Sequence, residues 1–433
     1  RGIPKDKTLY TGGFFMRLKS IMQKILCLGL VGASLLSLAS CALHTKAKDL
    51  SAGYTRTSSA SGSVTDEAFR RAAATFALSL FRESAPEEGN RLLSPTSAML
   101  CLAMLANGTA GGTRAEIEGA LGQGMSTLNP ALYAYAELLR AAGCASLASS
   151  LWIRDDAGLT VEPSFLQTNA DFFSADVYRA AFDRSTVRDV NRWVKNRTGG
   201  MIEKLLDGID DDNMLFLINA LSFDAKWQSP YEKENRRKGT FRNADGSEST
   251  VTYLSSSEWQ YLAGEGIEGF MKSYAGGKYR FVALLPEEGR TTAEVVAGLD
   301  GEAWLALLDG ASNEKVLTKT PAFETECRID IAEALRTMGV TRVFDENAAD
   351  LSPMGHYGDG GLYCSAMRQD VRLRLDADGT KAAAATIAAI DKCTSAAPDE
   401  TPPHEVYLTR PFLYAVVDAE TGLPLFLGTV DRL

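Results

Sequence analysis

Imidazole and thiol are scarce in this chain. Among 433 residues there are three histidines (His44, His356 and His404) and seven cysteines. No G-x-S-x-G elbow, H-E-x-x-H pair, C-x-x-C or P-loop occurs. No serine therefore stands in a motif that pairs it with a base, and no cluster of soft ligands awaits a metal. The scattered glycines from Gly119 to Gly124 follow a helical pattern rather than a strand, so they make no phosphate cradle. Cys101, Cys144, Cys327 and Cys364 fall in apolar helix or strand segments and read as buried fillers. Two thiols keep other company. Cys41 ends the run Leu38-Ala39-Ser40-Cys41, and Cys393 stands between Lys392 and Thr394 in a polar stretch where it is open to oxidation. Neither cofactor nor metal is expected, and the chain does not read as an enzyme.

The rest of the composition is globular, with 45% hydrophobic and 23% charged residues, which excludes disorder, collagen and coiled coil. Residues 1–40 hold six basic side chains and one acid. Without them 39 basic and 54 acidic residues remain, a net charge of −15 against −10 for the whole chain. An acidic body with no basic block argues against nucleic acid. Met16 is followed by Arg17, Lys19 and Lys24 and an uncharged run from Ile25 to Leu38, the order of an export signal. Its end resembles the bacterial lipobox, which implies a lipid on Cys41. A spanning helix from Ile25 to Leu43 is the competing reading, weakened by Gly29, Gly32 and Ala33. The expected organisation is an upstream leader over 1–15, a lipoprotein signal peptide over 16–40, a lipid-anchored flexible tether over 41–65, and one domain over 66–433. The body would then lie outside the cytoplasm, anchored to a bacterial membrane at the surface or in the periplasm.

Within the body, Phe69, Ala73, Phe76 and Leu80 share a helical face, with Thr65 as expected cap. Thr113-Arg114-Ala115-Glu116 reads as a capping box, and Val190 to Leu206 as a third helix. Strands are expected at Met214 to Phe223, Arg280 to Leu285, Val371 to Leu375, Leu413 to Val417 and Leu425 to Val430. Helices first and strands later predict a single α+β domain. Between Leu375 and Val406 lie about thirty residues without regular apolar period, and so long a loop is usually functional or disordered. Read with period two, Thr380, Ala382, Ala384, Thr386, Ala388 and Ile390 form one uncharged face of mostly small residues. Such a segment can slot into a sheet without burying charge; an Ala-rich helix is the alternative.

In this order the blocks resemble the serpins, over nearly everything from Asp66 to Leu433. The residues are Asn90 with Ser94-Pro95-Thr96-Ser97; Asn191-Arg192-Trp193-Val194 with Thr198-Gly199-Gly200; and Leu217-Ile218-Asn219 through Phe223, Trp227 and Pro230-Tyr231. Leu284-Leu285-Pro286, Met338-Gly339-Val340, Arg410-Pro411-Phe412 and Phe426-Leu427-Gly428 follow. The resemblance implies a large central, mainly antiparallel sheet with helices around it and an exposed reactive-centre loop at about 377–405. It also implies a mechanism: a protease attacks a bait bond in the loop, forms an acyl-enzyme, and is distorted when the cut loop inserts as a strand. Gly379, Thr380, Ala382, Ala383, Ala384, Ala385 and Thr386 would form the hinge.

The family's spacing, about fourteen residues on from Gly379, puts the bait bond between Cys393 and Thr394, and a slip of one puts it after Lys392. Cysteine suits elastase-like pockets, lysine a trypsin-like one. Ser94, Ser97 and Asn219 match the polar cluster beneath the opening sheet, Trp227 the breach, and Gln369 stands where the family has a histidine. Asp376, Ala377 and Asp378 replace the usual glutamate before the hinge, and Asp431-Arg432-Leu433 the usual terminal proline. The expected activity is therefore serine protease inhibition by a monomer that forms a covalent acyl complex with its target. The alternative is a non-inhibitory serpin acting as a surface binding module.

Overall fold

The computed structural model describes residues 46–84, 89–156, 158–200, 202–209, 213–357, 361–381 and 402–433. Among the described residues, six helices occupy the first half: α1 (Glu67–Glu83), α2 (Pro95–Ala106), α3 (Gly111–Leu121), α4 (Met125–Ala142), α5 (Pro163–Phe172) and α6 (Arg184–Arg197). The face predicted for α1 is the buried one, with Phe69, Phe76 and Leu80 in the core. Its cap is Asp66 rather than Thr65, because the Asp66 carboxylate reaches the Phe69 N–H at 2.9 Å. The capping box expected at Thr113 is spent on tertiary contacts. Thr113 is buried and its hydroxyl accepts from the Asp350 N–H, while Glu116 accepts from the N–H groups of Thr341 and Arg342. The third helix is shifted: α6 starts from an Asp183 cap and stops at Thr198, before Gly199 and Gly200 at φ 61 and 85°. Leu205 and Leu206 continue its apolar pattern without helix, their N–H groups held by the Asn191 side chain.

The central sheet is built from β1 (Lys48–Asp49), β2 (Ala145–Arg154), β3 (Asp176–Ala180), β4 (Leu215–Phe223), β5 (Ala225–Lys226), β6 (Phe323–Asp330), β7 (Ala366–Leu375) and β8 (Gly379–Lys381). Their order is β1-β3-β2-β4-β7-β8-β5, with β6 on the other edge of β7. Pairing is antiparallel except at β3–β2 and β4–β7. A second sheet of six strands carries Ile267–Ser273, Tyr279–Pro286, Phe412–Asp418 and Pro424–Val430 through the core. A third of four strands runs His404–Tyr407, Val316–Pro321, Glu248–Glu258, Arg236–Arg242. The fold is α+β as expected, and Ala47–Leu433 forms one compact unit.

That boundary corrects the tether. Residues 47–65 were expected to be flexible, yet β1 adds to the edge of the central sheet, pairing Lys48 with Arg179 and Asp49 with Tyr178. Arg56 lies over the Tyr133 ring at 3.5 Å, and Asp171 accepts from the N–H groups of Thr57 and Ser58. The segment has too few apolar residues to show a period, but backbone pairing and one stacked guanidinium need none. The leader, the signal segment and Cys41 lie outside the described residues.

Candidate functional site

Strand β7 alternates: Gln369, Val371, Leu373 and Leu375 are buried, while Arg372 and Arg374 are exposed on the opposite face. Its edge away from β6 is shared between two partners. Ala366 to Gln369 pair in parallel with Phe216 to Asn219 of β4. Arg374 and Leu375 pair instead with Lys381 and Thr380 of β8, which lies against Ala225 and Lys226 of β5. Between these contacts, among the described residues, no ladder joins residues 220–224 to residues 370–373. The sheet is forked, and the first residues of the long loop sit in the mouth of the fork.

Local chemistry explains how they are seated. Asp376 closes the turn from β7 to β8: its carboxylate accepts from the N–H groups of Asp378 and Gly379, and its own N–H donates to the Gly379 carbonyl at 2.9 Å. The shorter aspartate in place of the family's glutamate thus has work of its own. Gly379 is required by close approach, since a Cβ there would run into the Ala225 carbonyl. Thr380 is 1% exposed, and its hydroxyl meets that of Tyr274 at 2.5 Å. Burial pushes the Tyr274 phenol up, so it is neutral and can donate. Trp227 stacks on Tyr274 at 4.5 Å and donates its indole N–H to the Asp376 carbonyl at 2.9 Å. The backbone N–H groups of Trp227 and Tyr231 hold the carbonyls of Asp378 and Ala377, each at 3.0 Å.

At the closed end of the fork, Gln369 accepts from the Ser94 N–H at 2.8 Å and donates to the Ser94 carbonyl at 2.9 Å. One amide thereby spans both backbone groups of the α2 cap, which glutamine can do without titrating. Ser97 is buried in the same helix, and Asn219 stands opposite Gln369 in register. The structure therefore brings Gly379, Thr380 and Trp227 together at the mouth, and Ser94, Ser97, Asn219 and Gln369 at the base. Ala382, Ala383, Ala384, Ala385, Thr386, Lys392, Cys393 and Thr394 lie outside the described residues. Tyr274 is not among the residues the sequence marks, while Tyr231 and Asp376 stand in the breach block and before the hinge without a role of their own. Tyr274 ends an apolar strand with no motif to mark it, whereas Asp376 was visible as an Asx residue three before a glycine. The terminal Asp431-Arg432-Leu433 is fastened by two amides: Asn90 accepts from the N–H groups of Asp431 and Arg432, and Asn243 from that of Leu433.

The central sheet is thus split along one line, with the start of a long loop seated in the split. The comparisons place the chain. A family model described as serpin (serine protease inhibitor) matches residues 71–432, and the chain belongs to the serpin family. It is 28% identical to neuroserpin of Mus musculus over 372 residues, covering 79% of this chain and 86% of that one. It is 27% identical to plasminogen activator inhibitor 1 of Sus scrofa over 398 residues, covering 83% and 91%. Among solved structures it resembles tengpin, a thermophilic serpin. The native state of tengpin matches with TM-score 0.84 and 36% identity over 89% of this chain and 100% of that one. Its latent state matches with TM-score 0.75 and 35% identity over 85% and 99%. The family is one of serine protease inhibitors rather than catalysts. Among the described residues no helix is long and apolar enough to cross a membrane, and no group of three or more metal-ligating side chains occurs.

Proposed function

We propose that this chain inhibits serine proteases as a suicide substrate whose loop, once cut, inserts between β4 and β7. The observation that carries the reading is the register of the seated hinge. Arg374 faces Lys381 and Leu375 faces Thr380, while on the other edge Lys226 faces Gly379 and Ala225 faces Thr380. Continued one residue at a time, that register sets Ala382 between Leu373 and Phe223, and Ala384 between Val371 and Leu221. Thr386 then falls between Gln369 and Asn219, where the parallel ladder must begin to part. Leu373, Phe223, Val371 and Leu221 are all buried, so only small uncharged side chains can enter on that face. The Thr-Ala-Ala-Thr face meets the requirement. Insertion replaces a parallel ladder, the weaker pairing, by two antiparallel ones, which supplies a driving force that the uncut chain cannot reach.

In this reading the protease serine attacks the carbonyl carbon of Cys393, the peptide nitrogen of Thr394 leaves as an amine, and the ester remains when the loop moves. Cys393 favours elastase-like or other small-residue-preferring enzymes; cleavage after Lys392 would favour trypsin-like ones. The full chain incubated separately with pancreatic elastase and trypsin is expected to give a denaturant-resistant adduct with one of them. Mass spectrometry of the C-terminal fragment, separated under denaturing conditions, distinguishes a Thr394 start from a Cys393 start. Clean cleavage by both enzymes without adduct would sink the reading.

The protein acts, in this proposal, as a monomer held outside the cytoplasm of a bacterial cell by lipid on Cys41. The cationic stretch, the apolar run and Ala39-Ser40 before the cysteine support it. Cys41→Ser expressed in a bacterial host is expected to move the protein from the membrane to the soluble fraction. Equal membrane retention of the variant would refute the anchor.

A further inference from the structure

Behind the hinge seat lies a buried charge that loop insertion by itself does not explain. Lys272, on the strand Ile267–Ser273 of the second sheet, has a side chain only 2% exposed. Its ammonium meets one carboxylate, Glu258 at 2.7 Å, the last residue of the third-sheet strand Glu248–Glu258. Glu258 also accepts from the Ser256 hydroxyl at 2.6 Å. The ammonium faces two rings, Tyr231 at 4.5 Å and Trp227 at 5.6 Å from their centroids. Those are the two residues whose backbone N–H groups hold Ala377 and Asp378, and Trp227 also holds Asp376 through its indole. The pair thus stands where the three sheets meet.

A lysine without its carboxylate would not be tolerated there, and replacing a buried pair by apolar groups is often neutral for stability. Stability alone therefore does not require the pair. Aromatic faces attract a desolvated cation strongly, and here both rings are drawn onto one point charge. We propose that Lys272 is a positioning residue for the hinge: held by Glu258, its ammonium fixes Trp227 and Tyr231 in the places from which they grip residues 376–378. The inference rests on the reading that the hinge initiates insertion, but it concerns the uncut protein and can be tested without any protease.

The test is amide hydrogen exchange on the full chain and on K272M, which keeps most of the aliphatic stem and removes the charge. The Trp227 and Tyr231 amides are expected to exchange about tenfold faster, while those of Ala283 and Ala415 in the second sheet are unchanged. The double variant E258Q/K272M removes both charges, so no carboxylate is left unpaired, and it is expected to show the same local increase. Unchanged exchange at Trp227 and Tyr231, or an equal rise at all four positions, would overturn the proposal. Failure of both variants to fold would overturn it too, since the pair would then hold the body rather than the hinge. Loss of adduct with elastase and trypsin in the unmodified chain would count against insertion instead and leave this measurement standing.

Discussion

Thr380→Arg is expected to convert the inhibitor into an ordinary substrate. Thr380 is 1% exposed, faces Tyr274 and lies between Leu375 and Ala225, both buried. A guanidinium would have to be desolvated there, where the hydroxyl it replaces meets only a phenol that burial keeps neutral. The first inserting position is thereby closed. The loop can still be cut, but the race between insertion and hydrolysis of the acyl-enzyme passes to water. The yield of adduct should fall at least tenfold, to little or none, with cleavage at the same bond. Thr380→Ser, which keeps the hydroxyl, should trap as the unmodified chain does. The measurement is a denaturing gel of each variant with whichever of elastase and trypsin forms the adduct. An undiminished adduct from Thr380→Arg would show that insertion does not pass through this seat.

Much of this arrangement was legible in the residues, and the reasons differ from place to place. The strand expected at Met214 to Phe223 is β4 within one residue, because burial on both faces writes a continuous apolar run. The strand expected at Val371 to Leu375 was half found: β7 begins at Ala366, where Arg368, Gln369 and Asp370 interrupt the alternation. Gln369 reads as a polar defect in sequence, and only the fold shows the Ser94 backbone that it satisfies. Gly379 and Thr380, named from the family and the small-residue period, lie in the mouth of the fork. What remained hidden was the other wall of the seat. Tyr274 stands 106 positions from Thr380 in the chain, and no local pattern encodes a contact at that separation. The tether was misread for a related reason, since its order comes from edge pairing with β3 and from Asp171, not from its own composition.

Cleavage of the loop should raise the heat stability of the protein, and by a large margin. In the uncut chain, residues 370–373 of β7 are paired on one edge only among the described residues, with β6. The turn at Asp376 to Gly379 already delivers the chain antiparallel into that opening. While the loop is joined at both ends, the downstream end is tied to the third sheet, where His404 to Tyr407 pair in parallel with Val316 to Lys319. Cutting between them releases the upstream half without disturbing those strands. Each inserted residue then satisfies its N–H and C=O against β4 or β7, and Ala382, Ala384 and Thr386 cover the apolar residues beneath the fork. The expected rise in thermal midpoint is about 20 °C, which at roughly 2 °C per kcal/mol for a body of this size is a gain of about 10 kcal/mol. The retained fragment should co-purify with the body, because its strands at Phe412–Asp418 and Pro424–Val430 lie within the second sheet and Asn90 and Asn243 fasten its end. Thr380→Arg, cut at the same bond, should show no such rise. A heat scan of the four samples, each variant before and after cleavage, decides the matter: equal midpoints for the cut and uncut unmodified chain would mean that the fork stays open and no strand is inserted.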